Sequence, residues 1–130
     1  MLLRAALLAL ALAFATPAAA QVEDCMAATT QLDLNTCAAQ DFAAQDANLN
    51  EAYASAKDIL QGIDADLDPA DQGAAKALLE AQRAWITYRD AGCMAEAYLY
   101  EGGSIQPMIY SACRARVTAA RAQDLWKLSE

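Results

Sequence analysis

The sequence contains no histidine, and its 130 residues include only two valines and five isoleucines. Without histidine the chain lacks Ser-His-Asp and Cys-His catalytic groups, histidine metal ligands and the commonest general base. Basic residues are also few, with 9 Lys and Arg against 17 Asp and Glu. This balance argues against a nucleic-acid binder, whose phosphate contacts need clustered cations. The length allows one domain.

The first twenty residues have the pattern of a secretory signal peptide. Arg4 precedes an apolar run over residues 5–15, and residues 16–20 end in an A-x-A cleavage pattern. The run is too short to span a bilayer as a helix. We predict cleavage after Ala20, which leaves residues 21–130 as a periplasmic or secreted domain. Cys25 does not directly follow the cleavage site, so we predict no lipid anchor.

The remaining chain is acidic and rich in alanine. Loss of Arg4 leaves 8 basic and 17 acidic residues, a net charge of −9. Alanine supplies 25 of its 57 apolar residues, so the core is modest, and a small domain of this kind gains from covalent cross-links. An even number of cysteines in an exported chain predicts two disulfides among Cys25, Cys37, Cys93 and Cys113.

Helix-favouring residues dominate, and apolar residues recur close to a period of 3.6 in three segments. The first is residues 31–61, followed by Gly62 as a candidate C-cap. The second is about residues 69–100, with Asp68 as its predicted N-cap. The third is residues 106–128. Short connections predict an all-α fold, an elongated antiparallel three-helix bundle held by two disulfides.

The cysteine pairing follows less firmly from the pattern. Folding the two helical hairpins brings Cys37, Cys93 and Cys113 to one level of the bundle, and an N-terminal segment carries Cys25 towards them. We favour the pairs Cys37–Cys93 and Cys25–Cys113, and the other pairings stay open because sequence alone does not fix connectivity. Each disulfide closes a long loop and is expected to stabilise the fold by roughly 2–4 kcal/mol.

Polar residues at helical spacing predict contacts between helices. An arginine in such an interface needs a carboxylate or amide partner, so we expect Asp46 and Asn50 to meet Arg89 or Arg121. We favour a structural network that fixes helix register over a ligand site. The predicted network comprises Asp46, Asn50, Tyr53, Gln82, Arg89, Thr118 and Arg121. The predicted core includes Leu49, Trp85, Ile86 and Leu125.

Two turns are candidate partner-binding segments. Asp64 and Asp66 begin a pattern similar to a calcium loop, but the glycine and glutamate that an EF-hand requires further along are missing. A solvated turn with a helix cap is the favoured interpretation there. The second segment is Gly102-Gly103-Ser104, where glycine permits positive φ and close backbone approach. It is either a plain tight turn or a loop that enters a partner's cleft.

Carboxylates are also near one another in sequence at Asp90, Glu96 and Glu101, but no nucleophile or base is arranged around them. Scattered acids on helices usually form a solvated face. We therefore predict no catalytic residue, no metal site and no cofactor, and we interpret the protein as a binding protein and not an enzyme.

Several motifs together resemble the lysozyme inhibitor LprI-like family of small exported bacterial proteins, over about residues 25–125. The motif pieces are Cys25, Asn35-Thr36-Cys37, Asp46-x-x-Leu49-Asn50-x-x-Tyr53, Ala81-Gln82-Arg83-Ala84-Trp85-Ile86-x-Tyr88-Arg89-Asp90-x-x-Cys93, Gly102-Gly103-Ser104, and Cys113 with Thr118, Arg121 and Leu125. The resemblance implies a mainly helical, disulfide-bonded domain outside the cytoplasm that binds and inhibits lysozyme. The chain departs from the lipid-anchored branch of the family by lacking an evident anchor.

We therefore predict an exported binding protein that inhibits lysozyme by steric and electrostatic blocking of its cleft. The negative charge attracts a basic protein partner such as lysozyme. Inhibition requires a loop or helix end that blocks a carboxylate-lined cleft. The alternative is a structural or interaction module of the cell envelope with no effect on lysozyme. We predict no nucleic-acid partner and no membrane span, and the sequence leaves the oligomeric state open.

Overall fold

A computed structural model describes residues 24–130, and the predicted all-α three-helix fold with two disulfides is confirmed. The helices are α1 (Gln31–Asp66), α2 (Ala74–Ala97) and α3 (Gln106–Trp126). Short 3-10 helices lie at Cys25–Ala27, Tyr98–Tyr100 and Lys127–Ser129. The predicted signal peptide lies outside the described residues. None of the helices in residues 24–130 is both long enough and apolar enough to cross a membrane.

Contacts between side chains set the directions of the helices. Arg89 of α2 bonds Asp46 in the first half of α1, whereas Asp64 near the end of α1 bonds Ala74 at the start of α2. These two helices are therefore antiparallel. The packing between them is sparse, and α3 packs most extensively on α1.

The third helix runs parallel to α1. Asn35 near the start of α1 bonds Ser104 just before α3, and Asn48 bonds Trp126 at the end of α3. α1 has 36 residues and α3 has 21, which correspond to about 54 Å and about 32 Å. The last turns of α1 and the first turn of α2 therefore form a hairpin that extends beyond α3.

The core is small because alanine supplies much of it. Its buried cluster comprises Leu49, Ala52, Ala56, Leu78, Ala122 and Leu125. Trp85 is half-buried and packs against this cluster. The prediction that Ile86 lies in the core is wrong, since its side chain is 40% exposed. The reason is that Ile86 lies on the side of α2 that faces the sparse interface with α1.

The helix ends near the first turn differ from those predicted. Gly62 lies inside α1, which continues to Asp66. α2 begins at Ala74 and not near residue 69, because Asp68 starts a turn in which its carbonyl accepts from the N–H of Asp71 at 2.8 Å. The cap of α2 comes from Asp64, whose carboxylate is distant in sequence and therefore invisible to a local capping rule.

The favoured disulfide pairing is wrong. The bonds are Cys25–Cys37 and Cys93–Cys113, with Cα–Cα distances of 5.7 and 5.5 Å. The 3-10 helix at residues 25–27 lies along the first turns of α1, which brings Cys25 to Cys37 locally. The antiparallel α2 and α3 place Cys93 opposite Cys113. The sequence separations are 12 and 20 residues, so both bonds close short loops and neither links α1 to another helix.

Candidate partner-binding surfaces

Arg89 is the centre of a buried polar network. Its Nη1 donates to Asp46 Oδ1 at 3.2 Å, and its Nε donates to Asp90 Oδ1 at 2.8 Å. The same Nη1 lies 3.5 Å from Thr118 Oγ1 of α3. Arg89 is 8% exposed, so its charge depends on these partners. The residue thereby connects all three helices.

The other predicted network members do not join this group. Arg121 Nε donates to Gln82 Oε1 at 3.1 Å, which makes a separate bond between α3 and α2. The expected contact of Asn50 with an arginine is absent among the described residues, because Asn50 is exposed on the sparse side of α1. Tyr53 is half-buried, packs on the core and forms no hydrogen bond within residues 24–130. These residues form structure and an open surface, not a closed ligand site.

The turn between α2 and α3, which we call the tip (residues 98–105), is held closed by hydrogen bonds. The N–H of Gly103 donates to the carbonyl of Tyr100 at 2.9 Å, and the N–H of Gln106 donates to the carbonyl of Gly103 at 3.1 Å. Gly102 has a φ of 76°, which is the left-handed region that favours glycine. A Cβ at Gly103 would lie 3.1 Å from the Tyr100 carbonyl oxygen. Both glycines are therefore required by the backbone path.

The tip is also fastened to α1. Asn35 Nδ2 donates to the carbonyl of Ser104 at 3.1 Å. Asn35 lies two residues before Cys37, so the Cys25–Cys37 disulfide stabilises the part of α1 that supports the tip.

Three large side chains on the tip face solvent. Tyr98, Leu99 and Tyr100 are 61%, 79% and 43% exposed. The sequence interpretation named Gly102, Gly103 and Ser104 but missed these three residues. The available signal was a run of large side chains placed directly before a Gly-Gly turn. The tip therefore combines a fixed backbone with an exposed aromatic and apolar surface.

The acidic turn at the opposite end has a different construction. Asp64 accepts backbone N–H bonds from Gly73 and Ala74 at 2.8 Å each and from Ala75 at 3.0 Å. The N–H donors of Gly73, Ala75 and Ala74 hold the pKa of Asp64 below its usual value. Its carboxylate is therefore used as a helix cap, whereas Asp66 is exposed.

Apolar side chains accompany the acidic residues at this end. Ile59, Ile63 and Leu67 follow one another at four-residue intervals on the part of α1 that extends beyond α3, and they are 46%, 47% and 41% exposed. The exposed carboxylates near them belong to Asp58, Asp66, Asp68 and Asp71. This acidic end, as we call it, is a second surface that a basic partner could contact.

Comparison with known proteins identifies the family. The sequence profile described as Lysozyme inhibitor LprI matches residues 23–125. The chain belongs to the lysozyme inhibitor LprI family. The LprI match covers α1, α2, both disulfides and the tip, and it ends at Leu125 near the end of α3. The resemblance stated from the sequence motifs is thus confirmed.

One curated relative of this LprI protein comes from Rhizobium meliloti (strain 1021) and is described only as an uncharacterized protein. It is 44% identical over 128 residues, which cover 95% of this chain and 92% of the relative. No solved structure gives a significant match. Membership of LprI implies a general role in lysozyme inhibition and not in catalysis. LprI membership together with two disulfides also indicates a location outside the cytoplasm.

Proposed function

We propose that this protein is exported and inhibits lysozyme by placing its tip over the active-site cleft. The observation that carries the proposal is the exposure of Tyr98, Leu99 and Tyr100 on a turn closed by backbone hydrogen bonds. Contiguous exposed apolar surface marks binding sites, and tyrosine is enriched at interfaces. Tyrosine also offers a large contact area with few rotatable bonds.

The fixed backbone of the tip favours tight binding. A loop that is already ordered loses less conformational entropy when it binds. The hydrogen bonds of Gly103 and Gln106 and the contact of Asn35 with Ser104 provide this order. The tip is therefore better suited to block a cleft than a mobile loop of the same composition.

The charge distribution separates attraction from insertion. The whole chain has a net charge of −8, which attracts basic lysozymes and accelerates association. The cleft of a lysozyme contains two carboxylates, so free carboxylates at the inserting surface would be repelled. At the tip, Glu101 Oε2 accepts from Gln106 Nε2 at 2.6 Å. The side chains of Tyr98, Tyr100 and Ser104 add neutral hydroxyl donors.

The acidic end supports attraction and not insertion. It lies at the other end of α2, a helix of 24 residues, or about 36 Å. A lysozyme cleft occupied by the tip is therefore remote from Asp66 and Asp68. We expect the carboxylates of the acidic end to affect the rate of association and its salt dependence, and the tip to determine inhibition.

The test is a lysozyme lysis assay with the purified protein and a c-type lysozyme over a series of salt concentrations. We expect inhibition by the unchanged protein at micromolar concentrations. The double variant Tyr98→Ala with Leu99→Ala should weaken inhibition at least about tenfold, as expected for residues at the centre of an interface. Tyr88→Ala is the matched control, because Tyr88 is a 72% exposed tyrosine of α2 outside the tip.

Two results would contradict the proposal. Absence of inhibition by the unchanged protein would favour an envelope interaction module without effect on lysozyme. Equal loss of inhibition in the tip variant and in Tyr88→Ala, with both proteins folded by circular dichroism, would place the inhibitory surface elsewhere.

A further inference from the structure

A second surface lies between α1 and α2, where the two helices pack sparsely. We call it the α1–α2 groove. It has two adjoining sections of about 350 and 320 Å³, which share Tyr53 and Leu79 in their walls. Within residues 24–130, every lining side chain comes from α1 or α2, and none comes from α3. The groove is therefore a position beside two antiparallel helices that a further helix could fill.

The floor of the groove is apolar. Leu79 and Ile86 lie seven residues apart on one face of α2 and are 39% and 40% exposed. Tyr53 of α1 faces them, and the buried Leu49 lies in the same wall. A row of side chains at this spacing is what a helix uses to contact another helix.

The rim of the groove is basic, although the protein as a whole has a net charge of −8. Lys57 lies on the α1 side, and Lys76 and Arg83 lie on the α2 side. Asp46 is the one carboxylate that lines the two described sections, and it is already bonded to Arg89. The local charge is therefore opposite to that of the whole molecule.

These cations have little internal compensation. Lys76 pairs with Glu80 one helical turn away, and both side chains are well exposed, so this pair contributes little. Neither Lys57 nor Arg83 forms an ion pair with another residue of the described chain. Two unpaired cations on opposite rims are thus available to an anionic ligand.

We propose that the α1–α2 groove binds an acidic amphipathic helix of a partner protein. The lining residues extend from Ala75 to Arg89 along α2, a length of about 21 Å, or about four helical turns. Amphipathic helices bind such grooves through apolar anchors at intervals of three or four residues. Acidic residues flanking those anchors would meet Lys57 on one rim and Lys76 and Arg83 on the other. A basic lysozyme surface does not match this rim, so the partner is a different one.

The first experiment measures binding of a designed helical peptide to the purified protein by isothermal titration calorimetry. The peptide has about 18 residues, roughly five turns, with leucines along one face and glutamates on both flanks. A matched peptide has lysines in place of the glutamates. We expect the acidic peptide to bind at micromolar concentrations, more weakly at high salt, and the basic peptide to bind at least tenfold more weakly.

Charge reversals locate the binding site. Lys57→Glu and Arg83→Glu change exposed side chains, so both variants should fold normally. Each should weaken the acidic peptide at least about tenfold. Lys127→Glu is the matched control, because this 67% exposed lysine lies outside the groove, and its affinity should be unchanged. Leu79→Asp tests the apolar floor, and the two charge reversals keep the proposal testable if that variant does not fold.

Several outcomes would overturn the proposal. They include no binding of the acidic peptide, equal binding of both peptides, and binding that neither Lys57→Glu nor Arg83→Glu affects. A dimer in sedimentation that Arg83→Glu dissociates would make a second copy the occupant instead. Binding to phosphatidylglycerol vesicles, lost in the same variants and without peptide binding, would make it a membrane surface. Lysozyme inhibition should not change in Arg83→Glu, so the groove and the tip can fail independently.

Discussion

Arg89 of α2 donates a hydrogen bond of 3.2 Å to Asp46 of α1, across the helix pair with the sparsest packing in the bundle. The arginine side chain is 8% exposed and the aspartate side chain is 40% exposed. The Arg89 guanidinium also lies 5.1 Å from the ring centroids of Phe42 and of Trp85. This bond and these contacts fix the register of α2 on α1 where apolar contacts are few.

The first prediction concerns this pair. Arg89→Ala should lower the free energy of unfolding by about 2–3 kcal/mol, because it removes a buried charge-assisted bond and two aromatic contacts. Asp46→Asn should cost about 1 kcal/mol or less, since Arg89 keeps its bond to Asp90. Urea unfolding of both variants measures the difference. Equal costs for the two substitutions would show that Arg89 does not have the central role.

The second prediction concerns the order of disulfide reduction. Cys25 is exposed, whereas Cys93 and Cys113 are 2% and 5% exposed. Thiol attack requires access, so Cys25–Cys37 should be reduced at lower reductant concentration than Cys93–Cys113. Alkylation followed by mass spectrometry would detect the order. Alkylation of Cys93 before Cys25 would contradict the structure.

Removal of each disulfide should also cost stability. The closed loops of 12 and 20 residues each predict about 3 kcal/mol from chain entropy. Cys93→Ala with Cys113→Ala should have the larger effect, because it also affects buried packing. The paired variant at Cys25 and Cys37 should loosen the start of α1, which thermal unfolding and amide exchange of that segment would report.

The third prediction concerns Asp64 and pH. Its pKa is lowered in the folded protein, because backbone N–H groups of Gly73, Ala75 and Ala74 bond its carboxylate. The contribution to stability is therefore present above the unfolded-state pKa, about 3.9 for aspartate, and is lost as the pH falls through the lower folded value. Asp64→Asn should be less stable than the unchanged protein at pH 7, and the gap should narrow towards pH 3.

The control for Asp64 is its exposed neighbour Asp66. Asp66→Asn removes a carboxylate with no hydrogen bond to another described residue, so it should change stability little at either pH. Urea unfolding at the two pH values compares both variants. A pH dependence in Asp64→Asn equal to that of the unchanged protein would be inconsistent with the cap.

The fourth prediction concerns the tip backbone. Gly102→Ala should destabilise the protein by about 1 kcal/mol, because a φ of 76° is strained for a residue with a Cβ. Gly62 is the matched control, since it lies inside α1 and a Cβ added there would meet no neighbouring side chain within 4 Å. Gly62→Ala should instead stabilise by about 0.5–1 kcal/mol. Thermal unfolding distinguishes the two signs, and stabilisation by both substitutions would exclude the strained turn.

Much of the site could be predicted from local sequence, and the misses have physical causes. Gly102 and Gly103 indicated a turn because only glycine fits such backbone, and Asp46 and Arg89 indicated an interhelical bond because a buried charge needs a partner. The exposure of Tyr98 and Leu99 was not predictable, because the same residues would be core if another helix covered them. The role of Asp64 as a distant cap depends on how the chain returns after Asp71.

The sequence by itself determined an all-α fold, since helix-favouring residues, a 3.6-residue apolar period and few β-branched residues are local properties. It also determined the family and the presence of two disulfides. Only the tertiary structure decided which cysteines pair, because pairing depends on which Cα atoms come within about 6 Å. It also decided that α3 covers one side of α1 and leaves the α1–α2 groove open. Helix propensity and period do not specify on which side a third helix packs, because that choice depends on the sum of many contacts between distant residues.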